Sequence, residues 1–345
     1  VQQVLLDLEN CDVLEQYLLG QKVISKNVPY KIDYCRGGVS CVAALIETEG
    51  RTLLVKQGRA KLKVKEDWRA DPARMEIEAK ANAFYNRYVP ESAPRVLNYD
   101  RENYILIREA APAESVMWKS ELLNGVFDFG IAKKTIEALA IVHNKSANNE
   151  EAAREFADGT IFYQLRISPY FEFLKGKYPE LRELIDELII SIRDRHETLV
   201  HADYSPKNIL VNPDRSICIL DYEISHYGNP AFDLAFYTNH IVLKSAHMRR
   251  CSAAILNMLL YMTDIYFGMI DFTDAKKLEA ECIPLLGILM IARIDGKSPA
   301  EYIQSEKTKQ LVRDMAKALI RENIKTYAEA AELLLRMERE AGAGD

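Results

Sequence analysis

The chain has 345 residues, 48% apolar and 28% charged, a composition that suits a globular protein large enough for two lobes. Its net charge of −6 argues against nucleic acid as a main partner. Six scattered cysteines without a C-x-x-C pair fit reduced thiols in a cytoplasmic protein better than a disulfide framework or a zinc site. The opening VQQVLLDLENCD lacks the order of a signal peptide. The longest uncharged apolar run, 282–292, is about half of the ~20 residues that a membrane span needs, so no membrane partner is expected.

Residues 12–19 read as the end of a small amphipathic helix that Gly20 stops. Two strands, 30–35 and 41–48, are joined by Arg36-Gly37-Gly38-Val39-Ser40, and a third strand, 52–57, carries Lys56 near its end. Asp71-Pro72 opens a helix to about residue 87, Asp71 suiting the N-cap and Pro72 the first turn. Glu76 and Glu78 both lie on it, and either could reach Lys56. Strands 95–99 and 104–108 follow, and Glu109-Ala110-Ala111-Pro112 breaks the pattern.

Beyond that break the chain reads as mainly helical. In 129–144 the apolar residues and His143 share one stripe, with His143 a structural histidine. The stretch 148–176 is less regular and rich in aromatics, and 181–192 is a clear amphipathic helix. After residue 234 helices cover 251–266, 275–294 and 305–339. Between the last two, Arg293-Ile294-Asp295-Gly296 reads either as an ordinary helix end or as part of a substrate pocket, where Arg293 and Asp295 would meet an anionic or hydroxyl-rich molecule.

The most informative stretch is 199–234. Asp203 is followed five residues later by Asn208, and a hairpin later by Asp221-Tyr222-Glu223. Phosphoryl transfer needs this set: one carboxylate to take or orient the proton of the attacking hydroxyl, and an amide and a second carboxylate to hold magnesium against ATP. Asp203 is thus the candidate base, Asn208 and Asp221 are the candidate metal ligands, and Glu223 is a further one.

His201-Ala202-Asp203, Asn208 and Asp221-Tyr222-Glu223 resemble the H-G-D-x-x-x-x-N and D-x-D or D-x-E elements of the aminoglycoside phosphotransferase and choline kinase superfamily. Residues 228–234 resemble that superfamily too, and there the aspartate, here Asp233, supports the catalytic loop. Ala202 stands in place of the usual glycine, which implies that a positive φ is not needed here. D-F-G and A-P-E, which a protein kinase would show, are absent.

The resemblance implies an α+β, two-lobed protein-kinase-like fold. A small antiparallel-sheet lobe over 1–110 would bind the nucleotide, and a larger, mainly helical lobe over 111–345 would hold the catalytic loop and the acceptor. ATP and Mg2+ are the implied cofactors. Gly37, Gly38 and Ser40 would cover the phosphates, Lys56 would hold them from below, and the backbone of Glu109 and Ala110 would receive adenine. Residues 55–57, 64–68 and 74–78 resemble the V-K-Q strand, Trp-ending loop and R-x-x-x-E-A helix of methylthioribose kinases, which favours Glu78 over Glu76 as the partner of Lys56. The catalytic loop departs from that family, which has D-x-H-T-G-S where this chain has Asp203 to Asn208. The expected function is therefore a small-molecule kinase acting on a hydroxyl acceptor, a sugar-like metabolite such as methylthioribose first and an aminoglycoside second. A non-catalytic nucleotide-binding protein of the same fold is the rival of another class. Nothing in the chain fixes an oligomeric state.

Overall fold

The computed structural model describes residues 6–35, 41–59 and 71–342. It opens with helix α1 (Cys11–Gly20), whose first turn is capped by the Asn10 side chain accepting from the amides of Asp12 and Val13. Strands β1 (Tyr30–Tyr34), β2 (Cys41–Thr48) and β3 (Arg51–Gly58) follow, then helix α2 (Arg74–Tyr88) and strands β4 (Val96–Asp100) and β5 (Ile105–Glu109). The five strands form one antiparallel sheet in the order β1-β2-β3-β5-β4. The β2–β3 hairpin turns on Glu49 and Gly50, with φ of 49° and 72°. Both central residues of this two-residue turn must be left-handed to match the strand twist, and glycine supplies the second without strain.

Alternation along the strands sorts side chains between the two faces of the sheet. Leu53, Val55, Ile105 and Ile107 pack with Leu14 and Leu18 of α1, while Leu106 packs with Met75 and Ala79 of α2. Lys56 lies opposite Leu106 in the ladder and one residue after Val55, so it belongs to the α2 face. Helix α2 begins later than Asp71-Pro72. Asp71 instead accepts from the amide of Ala73 in a turn before the helix, and Ala73 caps it without a side-chain bond.

The rest is mainly helical: β6 (Val116–Met117), α3 (Trp118–Leu123), α4 (Phe129–Ser146), α5 (Glu150–Glu155) and α6 (Thr160–Phe162) come first. The stretch expected to be irregular continues as a π-helical segment, Tyr163–Glu172, with Pro169 inside it, and then α7 (Phe173–Lys177). The amide of Phe173 reaches back five residues to the carbonyl of Ser168. Next are α8 (Arg182–Asp194), β7 (Thr198–Val200), β8 (Ile209–Val211), β9 (Ile217–Ile219) and β10 (His226–Gly228). Strand β8 lies between β6 and β9, and β7 pairs with β10, so two small sheets clamp the loops between them.

Helices α9 (Pro230–His247), α10 (Ser252–Met269), α11 (Ala275–Asp295), α12 (Glu306–Arg321) and α13 (Tyr327–Gly342) complete the fold. The single helix expected over 305–339 is two, broken where Asn323 takes a φ of 53°. Helix α9 is buried on all sides, with α10, α11 and α12 packed against it. Gly287 lets α12 approach α11, because a Cβ there would stand 2.8 Å from the Ile320 side chain. Among the described residues one helical segment, Arg249–Met269, is long and apolar enough to cross a membrane. Its Ile255, Leu259, Met262 and Tyr266 are buried in the large core with α4 and α9, which accounts for its hydropathy.

Candidate active site

Arg74 and Glu78 lie one helical turn apart on α2 and so share a face, while Glu76 lies on the other side. Glu78 meets Lys56, whose ammonium donates to both its oxygens at 2.8 and 3.0 Å. Glu76 instead pairs with Lys80 and Arg101 nearer the surface. The Lys56 ammonium also donates to Asp221 at 2.6 Å, tying β3 and α2 to the loop after β9. Burial alone would lower the pKa of Lys56, but Asp221 and Glu78 overcome it and hold the lysine charged well above its usual range. Burial likewise opposes ionisation of Asp221, and Lys56 and Lys207 drive its carboxyl well below the usual range. Asp221 remains partly open to solvent.

Glu223 was expected as a further metal ligand. The structure commits it elsewhere: its Oε2 accepts from Arg74 Nε at 3.0 Å and from the Cys41 thiol at 3.5 Å. Glu223 therefore locks α2 to the loop that presents Asp221. Asn208 donates through Nδ2 to the backbone carbonyl of Asp203 at 3.0 Å and to its Oδ2 at 2.8 Å, which leaves the amide oxygen of Asn208 for another partner. Among the described residues no three His, Cys, Asp or Glu side chains gather as a metal site. Two hard oxygen donors, Asn208 and Asp221, fit magnesium, which takes few protein ligands and completes its shell with water and phosphate.

The loop bearing Asp203 is fixed by its backbone. Asp233, in the first turn of α9, accepts from the amides of His201 and Ala202, both at 2.7 Å. Its Oδ2 also faces His143 Nε2 at 3.3 Å, and the other nitrogen of His143 meets the Tyr266 hydroxyl at 2.6 Å. Ala202 has a φ of 62°, so the position does take the left-handed conformation that alanine in place of glycine had implied was not needed. Two hydrogen bonds to Asp233 hold the strained backbone in place. His201 Nδ1 accepts from the Asp203 amide at 3.2 Å, so Nε2 carries the proton that reaches the Leu220 carbonyl at 3.1 Å. Burial lowers the pKa of His201, which agrees with this neutral ring.

A residue that sequence reasoning passed over completes the site. Arg166, on the π-helical segment, bonds Asp203 Oδ1 at 2.5 Å and the Ala202 carbonyl at 2.7 Å. Lys207 lies 3.7 Å from Asp203 Oδ2. Burial pushes the Asp203 pKa up, but Arg166 and Lys207 prevail and hold it below the usual carboxylate range. Asp203 is thus an ionised, oriented carboxylate, its side chain 14% exposed.

Of the other expected site residues, Gly37, Gly38 and Ser40 lie outside the described residues. The amides of Glu109 and Ala110, part of the backbone expected to receive adenine, are already given to the carbonyls of Arg95 and Thr52. Asp295 is bound through both oxygens to Arg313 and accepts from the Tyr178 hydroxyl, which makes it a tie between α11 and α12 rather than a substrate group. Arg293 turns toward Tyr170, whose hydroxyl it meets at 3.3 Å, and toward Ser298.

The model of the phosphotransferase enzyme family matches residues 35–246. The chain belongs to this family. This phosphotransferase is 22% identical over 349 residues to the methylthioribose kinase of Bacillus cereus strain B4264, covering 87% of this chain and 88% of that one. Plasmodium vivax ethanolamine kinase superposes with a TM-score of 0.55 at 14% identity, over 98% of this chain and 90% of that one. A choline/ethanolamine kinase family protein from Mesorhizobium loti superposes with a TM-score of 0.50 at 14% identity, over 94% and 99%. The fold is thus that of the protein-kinase-like phosphotransferases, a small antiparallel-sheet lobe and a larger helical one. The phosphotransferase is a small-molecule kinase with an alcohol group as acceptor.

Proposed function

We propose that the protein moves the γ-phosphoryl group of ATP onto a hydroxyl of a small, sugar-like metabolite, with Asp203 as the base. The observation that carries this reading is an ionised Asp203 held between Arg166 and Asn208, with the Lys56–Asp221 pair next along the same loops. As the acceptor oxygen bonds to the γ-phosphorus and the bond to the ADP oxygen breaks, the hydroxyl proton passes to Asp203. Bound magnesium would neutralise charge on the phosphates, with Asn208 and Asp221 as its protein ligands. Lys56, kept charged and aimed by Glu78, sits where it could turn from Asp221 to the α and β phosphates. Ala111 and the carbonyls beside it would receive adenine, and 1–110 and 111–345 would act as the nucleotide and acceptor lobes. Most of the rate would come from positioning and charge, since little else is asked of the protein.

The test is ADP release and phosphorus NMR with ATP, magnesium and a panel of sugars, sugar acids, amino alcohols and aminoglycosides. Asp203→Asn is expected to lower turnover by at least about 100-fold while ATP affinity stays within about threefold, since the loss of a general base is worth 10²–10⁴. Undiminished turnover in that variant would remove Asp203 from its role.

A further inference from the structure

From Asp203 a line of contacts runs into the helical lobe, and it is strongly cationic. Arg166 sits over the Tyr170 ring at 5.6 Å and the Phe236 ring at 5.2 Å. Tyr170 meets Arg293 of α11, and Phe236 packs against His240 at 5.1 Å. One turn on, the Lys244 ammonium donates to the His240 carbonyl at 3.0 Å and lies 5.4 Å from the Tyr302 ring, with Lys119 on the same ring at 5.6 Å. Arg166, Lys207, Arg293, Lys244 and Lys119 thus come together from four helical segments and the catalytic loop. Three carboxylates answer them among the described residues: Asp203, Asp221, which Lys207 shares with Lys56, and Glu301, which pairs with Lys119.

The imbalance falls on buried groups. Lys244 is 1% exposed and, among the described residues, makes no direct ion pair, with Glu301 the one carboxylate near enough to favour its charge. Arg293 Nε and the Tyr302 hydroxyl are buried without a hydrogen-bond partner among the described residues. Burial and the nearby charges of Lys119 and Arg293 lower the pKa of Lys244 to about 7, and burial lowers His240 further below its usual value with Arg293 and Lys244 adding to it. The C-terminal end of α9 favours one lysine there, but not cations converging from α3, α9, α11 and the π-helical segment. Buried charges ordinarily have counter-ions, and unpaired buried donors are rare, so this arrangement is one that a bound anion would complete.

We infer that the acceptor of this kinase carries a carboxylate or a phosphate monoester, seated among Arg293, Lys244 and Lys119 while its hydroxyl faces Asp203, a conclusion that rests on the kinase reading above. In this respect the acceptor departs from neutral methylthioribose. A cationic aminoglycoside is the substrate that this cluster of cations opposes most.

Titration calorimetry in the presence of magnesium and a non-hydrolysable ATP analogue tests it, using gluconate against glucose, ribose 5-phosphate against ribose, and kanamycin. The acid of at least one pair is expected to bind at least about tenfold tighter than its neutral partner. A preference for gluconate identifies a carboxylate, and one for ribose 5-phosphate identifies a phosphate. In Lys244→Met, Arg293→Gln and the less buried Lys119→Met this preference falls toward unity while affinity for the nucleotide analogue is retained. If neither acid outdoes its neutral partner, or kanamycin binds best, with the nucleotide still bound, the anionic acceptor is overturned and the kinase reading stands. If the analogue itself fails to bind the wild type, the kinase reading falls first.

Discussion

Asp203 keeps its charge through Arg166, a partner whose guanidinium is itself fixed by the Ala202 and Leu165 carbonyls and two aromatic rings. With the guanidinium present, the carboxyl titrates below its usual range, so the ionised carboxylate, the base of the proposed reaction, persists to acid pH. Arg166→Gln removes the counter-charge and leaves burial, which works in the opposite direction. The acid limb of kcat is therefore expected to move up by roughly one to two pH units, the usual effect of an adjacent cation on a carboxylate. A pH–rate profile checks this. A limb that stays in place while kcat merely drops would mean that Arg166 holds the loop and does not set the charge. Lys207→Met serves as the milder control, because its ammonium stands farther away and is half exposed.

At the scale of elements, the loop that bears Asp203 hangs on α9 through one carboxylate. Asp233 satisfies two backbone amides that would otherwise be buried and unpaired, and it fixes the left-handed turn at Ala202. Asp233→Asn would set an amide NH2 against one of those N–H donors, which is expected to destabilise the fold by about 2–3 kcal/mol, since an unmet buried donor costs about 1–3. The loop would then lose register, so kcat should fall while the Michaelis constant for ATP changes little. Denaturant unfolding and steady-state kinetics together check it, and a full kcat at reduced stability would separate the strut from the chemistry. The set Asp203, Asn208 and Asp221 was legible in the sequence because its spacing is local to one strand–loop–hairpin unit, and Asp233 was legible through the resemblance of 228–234 to the superfamily. Arg166 was not, because its meeting with Asp203 depends on how the π-helical segment packs. Ala202 was misjudged for a related reason: a side chain hides a positive φ that hydrogen bonds from α9 impose. Lys56 was legible from its place at the end of an apolar strand. Glu78 and Glu76 both remained open as its partner, Glu78 favoured only by the resemblance of 74–78 to the methylthioribose kinase helix, until the packing of α2 on β3 joined Glu78 to Lys56.

Across the whole molecule, the alternating strands and the amphipathic helices made the architecture readable, while the break between α12 and α13 lay in a stretch without glycine or proline. Helix α13 closes back over α9 and α10 through Glu338, which is 2% exposed. One oxygen accepts from the Ser245 hydroxyl at 2.5 Å and the other has no hydrogen-bond partner among the described residues. Burial raises the pKa of Glu338 to about 7 from an ordinary value of 4.5. The folded state thus holds this proton more tightly than the unfolded chain does. Its contribution to stability is complete below pH ~4.5 and is lost as pH rises through ~7. The shift corresponds to about 3 kcal/mol, which at this chain length is roughly 4 °C in Tm. Glu338→Gln keeps the acceptor for Ser245 and removes the titration. The variant is expected to melt about 4 °C above the wild type at pH 8.5 and level with it at pH 4.5, on the sizes just given. Thermal unfolding across that range decides the matter: a Tm difference independent of pH would mean that Glu338 enters the folded state already charged, held so by its serine neighbours and Arg249 against the pull of burial.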